Sequence, residues 1–122
     1  MQLSILIAHH DGMAAATLAT SLRPHFRSVA LVGSIDDLRS AIVEQGFDTV
    51  ALDLELVTRS ALEELCRKFP QVGFVCIHRL ADEELWAQVL SAGAADCCFT
   101  TDVAGIAEAA HRHARSAHIS AA

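Results

Sequence analysis

Residues 9–11 read His-His-Asp and follow directly on the apolar run LSILIA at 3–8. Two imidazoles beside a carboxylate support a small set of chemistries. Neutral imidazoles donate ring nitrogen to borderline cations such as Zn²⁺, Ni²⁺ or Cu²⁺, and a carboxylate can complete the set. An imidazole near its pKa gives or takes a proton, and a protonated one pairs with an acid. The plainest role is that of polar residues at a strand terminus, hydrogen-bonded to their neighbours. Adjacent residues of a strand point to opposite faces, so His9 and His10 converge only if the chain turns there. Asp53 and Glu55, His78 and Arg79, and Thr100 and Thr101 sit at the ends of three later apolar runs.

The elements that must position these groups follow from hydrophobic periodicity. Five short runs read as strands: LSILIA (3–8), SVALVG (28–33), DTVALDL (48–54), VGFVCI (72–77) and DCCFT (96–100). Helical spacing separates them at about 12–22, 35–45, 59–69, 82–91 and 103–115. Ser34 and Asp102 are candidate N-caps, Gly46 and Gly93 close the second and fourth helices, and Pro70 ends the third. Asp82, Glu83 and Glu84 suit a helix N-terminus. This is a (βα)5 α/β pattern, and apolar strands alternating with helices predict a doubly wound parallel sheet. In such a sheet the functional crevice lies beyond the carboxyl ends of the strands. Every polar group named above falls at such an end.

The 122 residues make one domain, with 52% hydrophobic and 20% charged residues. A net charge of −6 with nine Lys and Arg argues against a nucleic-acid face on this segment. Met1 leads into a strand-like run with no basic region, so no signal peptide is expected. No apolar run approaches the ~20 residues of a membrane span. Cys66, Cys76, Cys97 and Cys98 show no CxxC spacing, which fits a reduced, cytoplasmic chain. No nucleophile–base–orienter set or phosphate-cradling glycine loop is present, and no enzyme is expected. We place the domain at 1–117, with 118–122 as a frayed tail or the start of a linker.

The segment ILIAHHDG is similar to the opening of bacterial response-regulator receiver domains, where an apolar strand leads into a pair of acids. DTVALDLEL resembles that family's third strand, and FVCIHRLADEELWAQVLSAGAADCCFTTD its fourth strand through its fifth. The likeness covers about residues 3–115 and is nearest to receivers that precede a helix-turn-helix output domain. It implies the flavodoxin-like receiver fold with strand order 2-1-3-4-5, and it places Asp53 at the phosphoacceptor position. His9 and His10 stand where the family has its Mg²⁺-binding acids. His78 stands for a Ser or Thr, Arg79 for a small residue, Thr100 for a Lys and Cys97 for an aromatic switch residue.

Aspartyl phosphorylation needs a cation to neutralise the phosphoryl oxygens, and Mg²⁺ prefers hard oxygen ligands. Two imidazoles in place of two carboxylates make Mg²⁺ binding weak or absent, so no cofactor is expected. Three readings follow. The first is a degenerate receiver acting in signal transduction as a protein-interaction or dimerisation module. By the resemblance it binds partners or itself through the fourth helix, fifth strand and fifth helix, with a DNA-binding domain possible C-terminally in the native chain. The second is a phosphorylatable switch at Asp53 controlling a transcriptional output, with Arg79 as a substitute cation. The third is a transition-metal pocket at His9, His10, Asp53 and His78.

Other residues have structural readings. Cys97 and Cys98 are expected as one core thiol and one facing a helix. His111 and His113 are expected on a solvated helix face, and Asp48 in a turn. Trp86 is either a core anchor or part of a partner surface.

Overall fold

A computed structural model of the chain describes residues 2–80 and 82–121, with side chains described as far as Ser116. Five strands and five α-helices alternate along the chain. The strands are β1 (Ser4–Ala8), β2 (Ser28–Val32), β3 (Thr49–Asp53), β4 (Gly73–His78) and β5 (Asp96–Phe99). The helices are α1 (Gly12–Leu22), α2 (Ile35–Gln45), α3 (Arg59–Lys68), α4 (Glu83–Ser91) and α5 (Val103–Ala121). All strand pairs are parallel, and the sheet order is β2-β1-β3-β4-β5, as expected.

The alternation of side chains along β1 shows how the sheet is covered. Ile5 and Ile7 pack with Leu18, Leu22, Ile106 and Ala110, on the side of α1 and α5. Leu6 and Ala8 pack with Leu38, Ile42, Leu62 and Leu65, on the side of α2 and α3. β1 and β3 are buried over their whole length because both sheet faces are covered. β2 lies at an edge and is only partly buried, despite an equally apolar sequence.

Local chemistry sets the element ends. The Asp11 carboxylate accepts from the Met13 and Ala14 N–H groups and starts α1. Ser34, Thr58 and Asp82 cap α2, α3 and α4 in the same way, and Asp102 accepts from the Gly105 N–H. Gly93, at a φ of 108°, turns the chain between α4 and β5, and a Cβ there would meet the Cys66 Cβ at 3.0 Å. After α1 the chain forms a single 3₁₀ turn over Arg23–His25.

Three expectations are corrected. α5 runs to Ala121, beyond the end near residue 115 read from periodicity, and so takes up most of the expected tail. Its last turns carry no Gly or Pro to stop the helix. Ala122, the end of that tail, lies outside the described residues. His111 and His113 are partly buried and not on a fully solvated face. His111 stacks on Phe26, and the His113 ring lies where a Cβ on Gly73 would come within 2.7 Å of its Nδ1. Burial accordingly lowers the His113 pKa. Asp48 does more than turn the chain: its carboxylate accepts from both the N–H and the hydroxyl of Ser4, at 2.8 and 3.1 Å, which ties the start of β1 to the entry of β3.

The cysteines behave as packing residues. Cys98 is buried in the layer under α1 and α5, while Cys97 packs with Cys66 and Cys76 in the layer under α3 and α4. Burial raises all four thiol pKa values, Cys97 to about 11 and Cys98 to about 12. Thiols so held are poor nucleophiles. No described helix is long and apolar enough to cross a membrane.

Candidate functional site

Strand register and helix capping together build the site. Ala8 of β1 pairs with Leu52 of β3, so the next residues along each strand, His9 and Asp53, emerge side by side. Asp11 is committed to capping α1, which leaves His9 and His10 as the whole link between strand and helix. The His9 N–H still reaches the Val32 carbonyl, at 3.2 Å, as if continuing the strand. The chain then bends at His10. This bend defeats the strand rule that would separate the two rings. They stack, with centroids 5.0 Å apart and planes at 17°.

Both rings lie beside one carboxylate, and His10 bonds to it. The His10 backbone N–H donates to Asp53 Oδ2 at 3.0 Å, and His10 Nδ1 hydrogen-bonds the same oxygen. His9 Nδ1 stands 3.6 Å from it. The Glu55 N–H donates to the other oxygen, Oδ1, at 2.9 Å. Asp53 is buried, and burial alone would push its carboxyl pKa up. The hydrogen bonds from His10 and Glu55 outweigh that and hold it below the ordinary value. The hydrogen bond to Asp53 in turn raises the His10 pKa. His10 Nε2 lies 3.0 Å from Glu55 Oε2, so the ring bridges two acids.

The two rings differ in their hydrogen bonds. His9 Nδ1 accepts from the Asp11 N–H at 2.9 Å, which fixes the ring proton on Nε2 in the neutral form. The contact of His9 Nδ1 with Asp53 therefore sets lone pair against lone pair. His10 carries the proton that Asp53 receives.

A cleft of about 180 Å³ opens here, lined by His9, His10, Ala14, Asp53, Glu55, His78, Arg79 and Thr100. Most of the strand-end residues singled out in the sequence thus line one cleft, while Asp11 caps α1 and Thr101 lines a separate pocket beside α1. Roles diverge within the cleft. His78 turns its Nδ1 to the Leu80 N–H at 3.0 Å and stays apart from the other two rings. Arg79 neither fills the cleft nor reaches Asp53: it is 78% exposed, with Nε 3.8 Å from Glu55 Oε1. Thr100 lines the wall opposite, and Cys97 lies half-buried in β5.

Among the described residues, the metal-capable group of three or more His, Cys, Asp or Glu is His9, His10 and Asp53, with ligand atoms within 4.8 Å of one another. These donors do not fit Mg²⁺, the ion that the receiver resemblance implies. Two of the three are imidazole nitrogens, which leaves a single carboxylate as the hard oxygen ligand that Mg²⁺ prefers.

Solved structures match this architecture closely. NtrX from Brucella abortus, solved in complex with ADP, superposes with a TM-score of 0.86 at 19% identity over 98% of this chain, which spans 28% of the NtrX chain. The fold is that of a response-regulator receiver domain. A response regulator from Thermotoga maritima matches with a TM-score of 0.80 at 12% identity, over 94% of this chain and 99% of its own. A putative pilus assembly-related protein from Burkholderia pseudomallei matches at 0.78 and 21%, over 93% and 90%. No protein-family model matches the sequence, and no curated protein does.

A second polar cluster of the receiver fold escaped the sequence reading. On the face formed by α4, β5 and α5, the Trp86 indole N–H donates to Asp96 Oδ1 at 3.0 Å, and Arg112 Nη2 donates to Oδ2 at 2.7 Å. Arg112 also lies 3.6 Å from Glu108. Trp86 is 46% exposed and Phe99 51%. The partners sit 10 and 16 residues from Asp96, too far apart for any helical or strand period to link them.

Proposed function

We propose that this chain is a pseudo-receiver: a signalling module of the receiver fold that works by binding protein partners or itself, with little or no Mg²⁺-dependent phosphorylation. The observation that carries this reading is the state of Asp53. Its Oδ2 is taken by the His10 N–H and imidazole and its Oδ1 by the Glu55 N–H. A protonated His10 supplies the positive charge that a metal supplies in an intact receiver. The acidic repulsion that metal binding relieves is therefore absent, and the cleft stays in one state. Thr100 offers no cation to a phosphoryl group, and Arg79 points to Glu55 instead.

The partner surface is the face of α4, β5 and α5. Its half-exposed Trp86 and Phe99 are the side chains expected of an interface anchor. The Asp96 bonds to Trp86 and Arg112 hold the indole in place. In a longer native chain, this module would sit in the cytoplasm ahead of an output domain such as a helix-turn-helix. It carries no catalytic role of its own.

A phosphorylatable switch is the second reading, favoured by one observation: Asp53 keeps its carboxylate at the floor of an open cleft. The two part on treatment with acetyl phosphate or beryllofluoride, with and without Mg²⁺, read by intact mass and amide NMR shifts. The pseudo-receiver gives no Mg²⁺-dependent change, like Asp53→Ala. A Mg²⁺-dependent response that disappears in Asp53→Ala would restore the switch.

A further inference from the structure

The same three side chains that suit Mg²⁺ poorly make a donor set for a softer ion. We propose that His9, His10 and Asp53 form a binding site for a late first-row divalent cation, represented by Zn²⁺, which enters in place of the proton between His10 and Asp53. This goes beyond the interaction role, because it concerns what the cleft binds and not what the face of α4, β5 and α5 docks.

The geometry is close to what such an ion needs. His9 Nδ1 and Asp53 Oδ2 are 3.6 Å apart. Ligand bonds of about 2.0–2.1 Å in a tetrahedron separate donors by roughly 3.3–3.4 Å. His10 Nδ1 sits nearer to Asp53 than that, as a hydrogen-bonded partner must. Its side chain is 49% exposed, so the ring is free to draw back and admit an ion. Two imidazoles and one carboxylate favour Zn²⁺, Ni²⁺ or Cu²⁺ over Mg²⁺ by ligand type alone. The fourth position faces the cleft, where water can complete the shell.

A second observation points the same way. His10 Nε2 lies 3.0 Å from Glu55 Oε2. With Nδ1 on a metal, the ring proton must be on Nε2, and Glu55 is already in place to receive it. A carboxylate behind a ligating histidine fixes its tautomer and strengthens its donation. Ligation by His9 Nδ1 gives up one hydrogen bond, from the Asp11 N–H, and that group lies at the surface where water replaces the ring.

The test is a Zn²⁺ titration of the reduced, folded chain with Mg²⁺ in large excess, followed by calorimetry and by the NMR signals of the histidine rings. One equivalent of Zn²⁺ should bind and shift the His9 and His10 ring signals. His10→Ala should lower the affinity at least tenfold. Glu55→Gln, which removes no ligand, should lower it by about 10–100-fold while leaving the stoichiometry at one. Circular dichroism of each variant checks that the fold is kept. Absence of binding, competition by Mg²⁺, unchanged affinity in His10→Ala, or shifts confined to other histidines or to the cysteines would each overturn the site. Loss in His10→Ala with no change in Glu55→Gln would keep the ion at the three ligands and remove the supporting role of Glu55.

Discussion

The backbone N–H and the imidazole of His10 both end on one oxygen of Asp53. A single residue thus holds the carboxylate by its main chain and its side chain at once. Asp53 is the phosphoacceptor position in the receiver resemblance, and here it is the fixed point of a hydrogen-bond network.

Asp53→Ala should destabilise the fold. The change removes the acceptor of the His10 and Glu55 N–H groups at a partly buried site, and each such hydrogen bond is worth about 0.5–1.5 kcal/mol. Urea unfolding should show a lower midpoint with an unchanged slope. In a site of three clustered acids the same change would relieve repulsion and raise the midpoint, so a stabilised variant would contradict the network described.

Stability should depend on pH on both sides of a window. Asp53 titrates below its ordinary 3.8 in the folded chain, so its contribution is present above that value and is lost as pH falls through the lowered pKa. His10 titrates above its ordinary 6.5, so its contribution is full below 6.5 and is lost as pH rises through the raised pKa. The pair therefore contributes most between about pH 4 and 6.5. Urea midpoints measured from pH 3 to 9 with a chelator present should fall at both ends. In His10→Gln the alkaline fall attributable to this ring should be gone, and a profile identical to wild type would remove His10 as its source.

Carboxylates put back at the strand end should restore metal chemistry. The triple variant His9→Asp, His10→Asp, Thr100→Lys places acids beside Asp53 and an ammonium group across the cleft. Beryllofluoride with Mg²⁺ should then shift the amides around Asp53, and should not do so without Mg²⁺. A folded variant as silent as wild type would overturn the assignment of the lost metal chemistry to these three positions.

Trp86 should report and support association. It is the chain's one tryptophan, and it is half-exposed on the face of α4, β5 and α5. Its emission should shift to the blue as protein concentration rises, if the partner is a second copy. Trp86→Ala should weaken that association at least about tenfold, since truncating an aromatic hot spot of an interface costs about 2 kcal/mol or more. Sedimentation velocity that is indifferent to both concentration and Trp86→Ala would exclude self-association on this face.

Hydrophobic periodicity was enough to read the (βα)5 order, since each element is marked by residues a few positions apart. LSILIA and DTVALDL announce buried strands, and Ser34 and Gly46 mark the ends of α2, because propensity and capping are local. The gathering of strand-end residues into one cleft was also legible, because parallel order fixes which ends face the same way. The structure alone decided how they meet. Asp11 left the HHD run to cap α1, His78 turned to its own loop, and both His9 and His10 came to Asp53. Residues 43 positions apart meet only through the register of β1 on β3, and two adjacent rings meet only through the bend after β1. Neither leaves a period in the sequence. The bonds from Trp86 and Arg112 to Asp96 are of the same kind: they depend on how α4 and α5 flank β5, and packing geometry, not local propensity, places them.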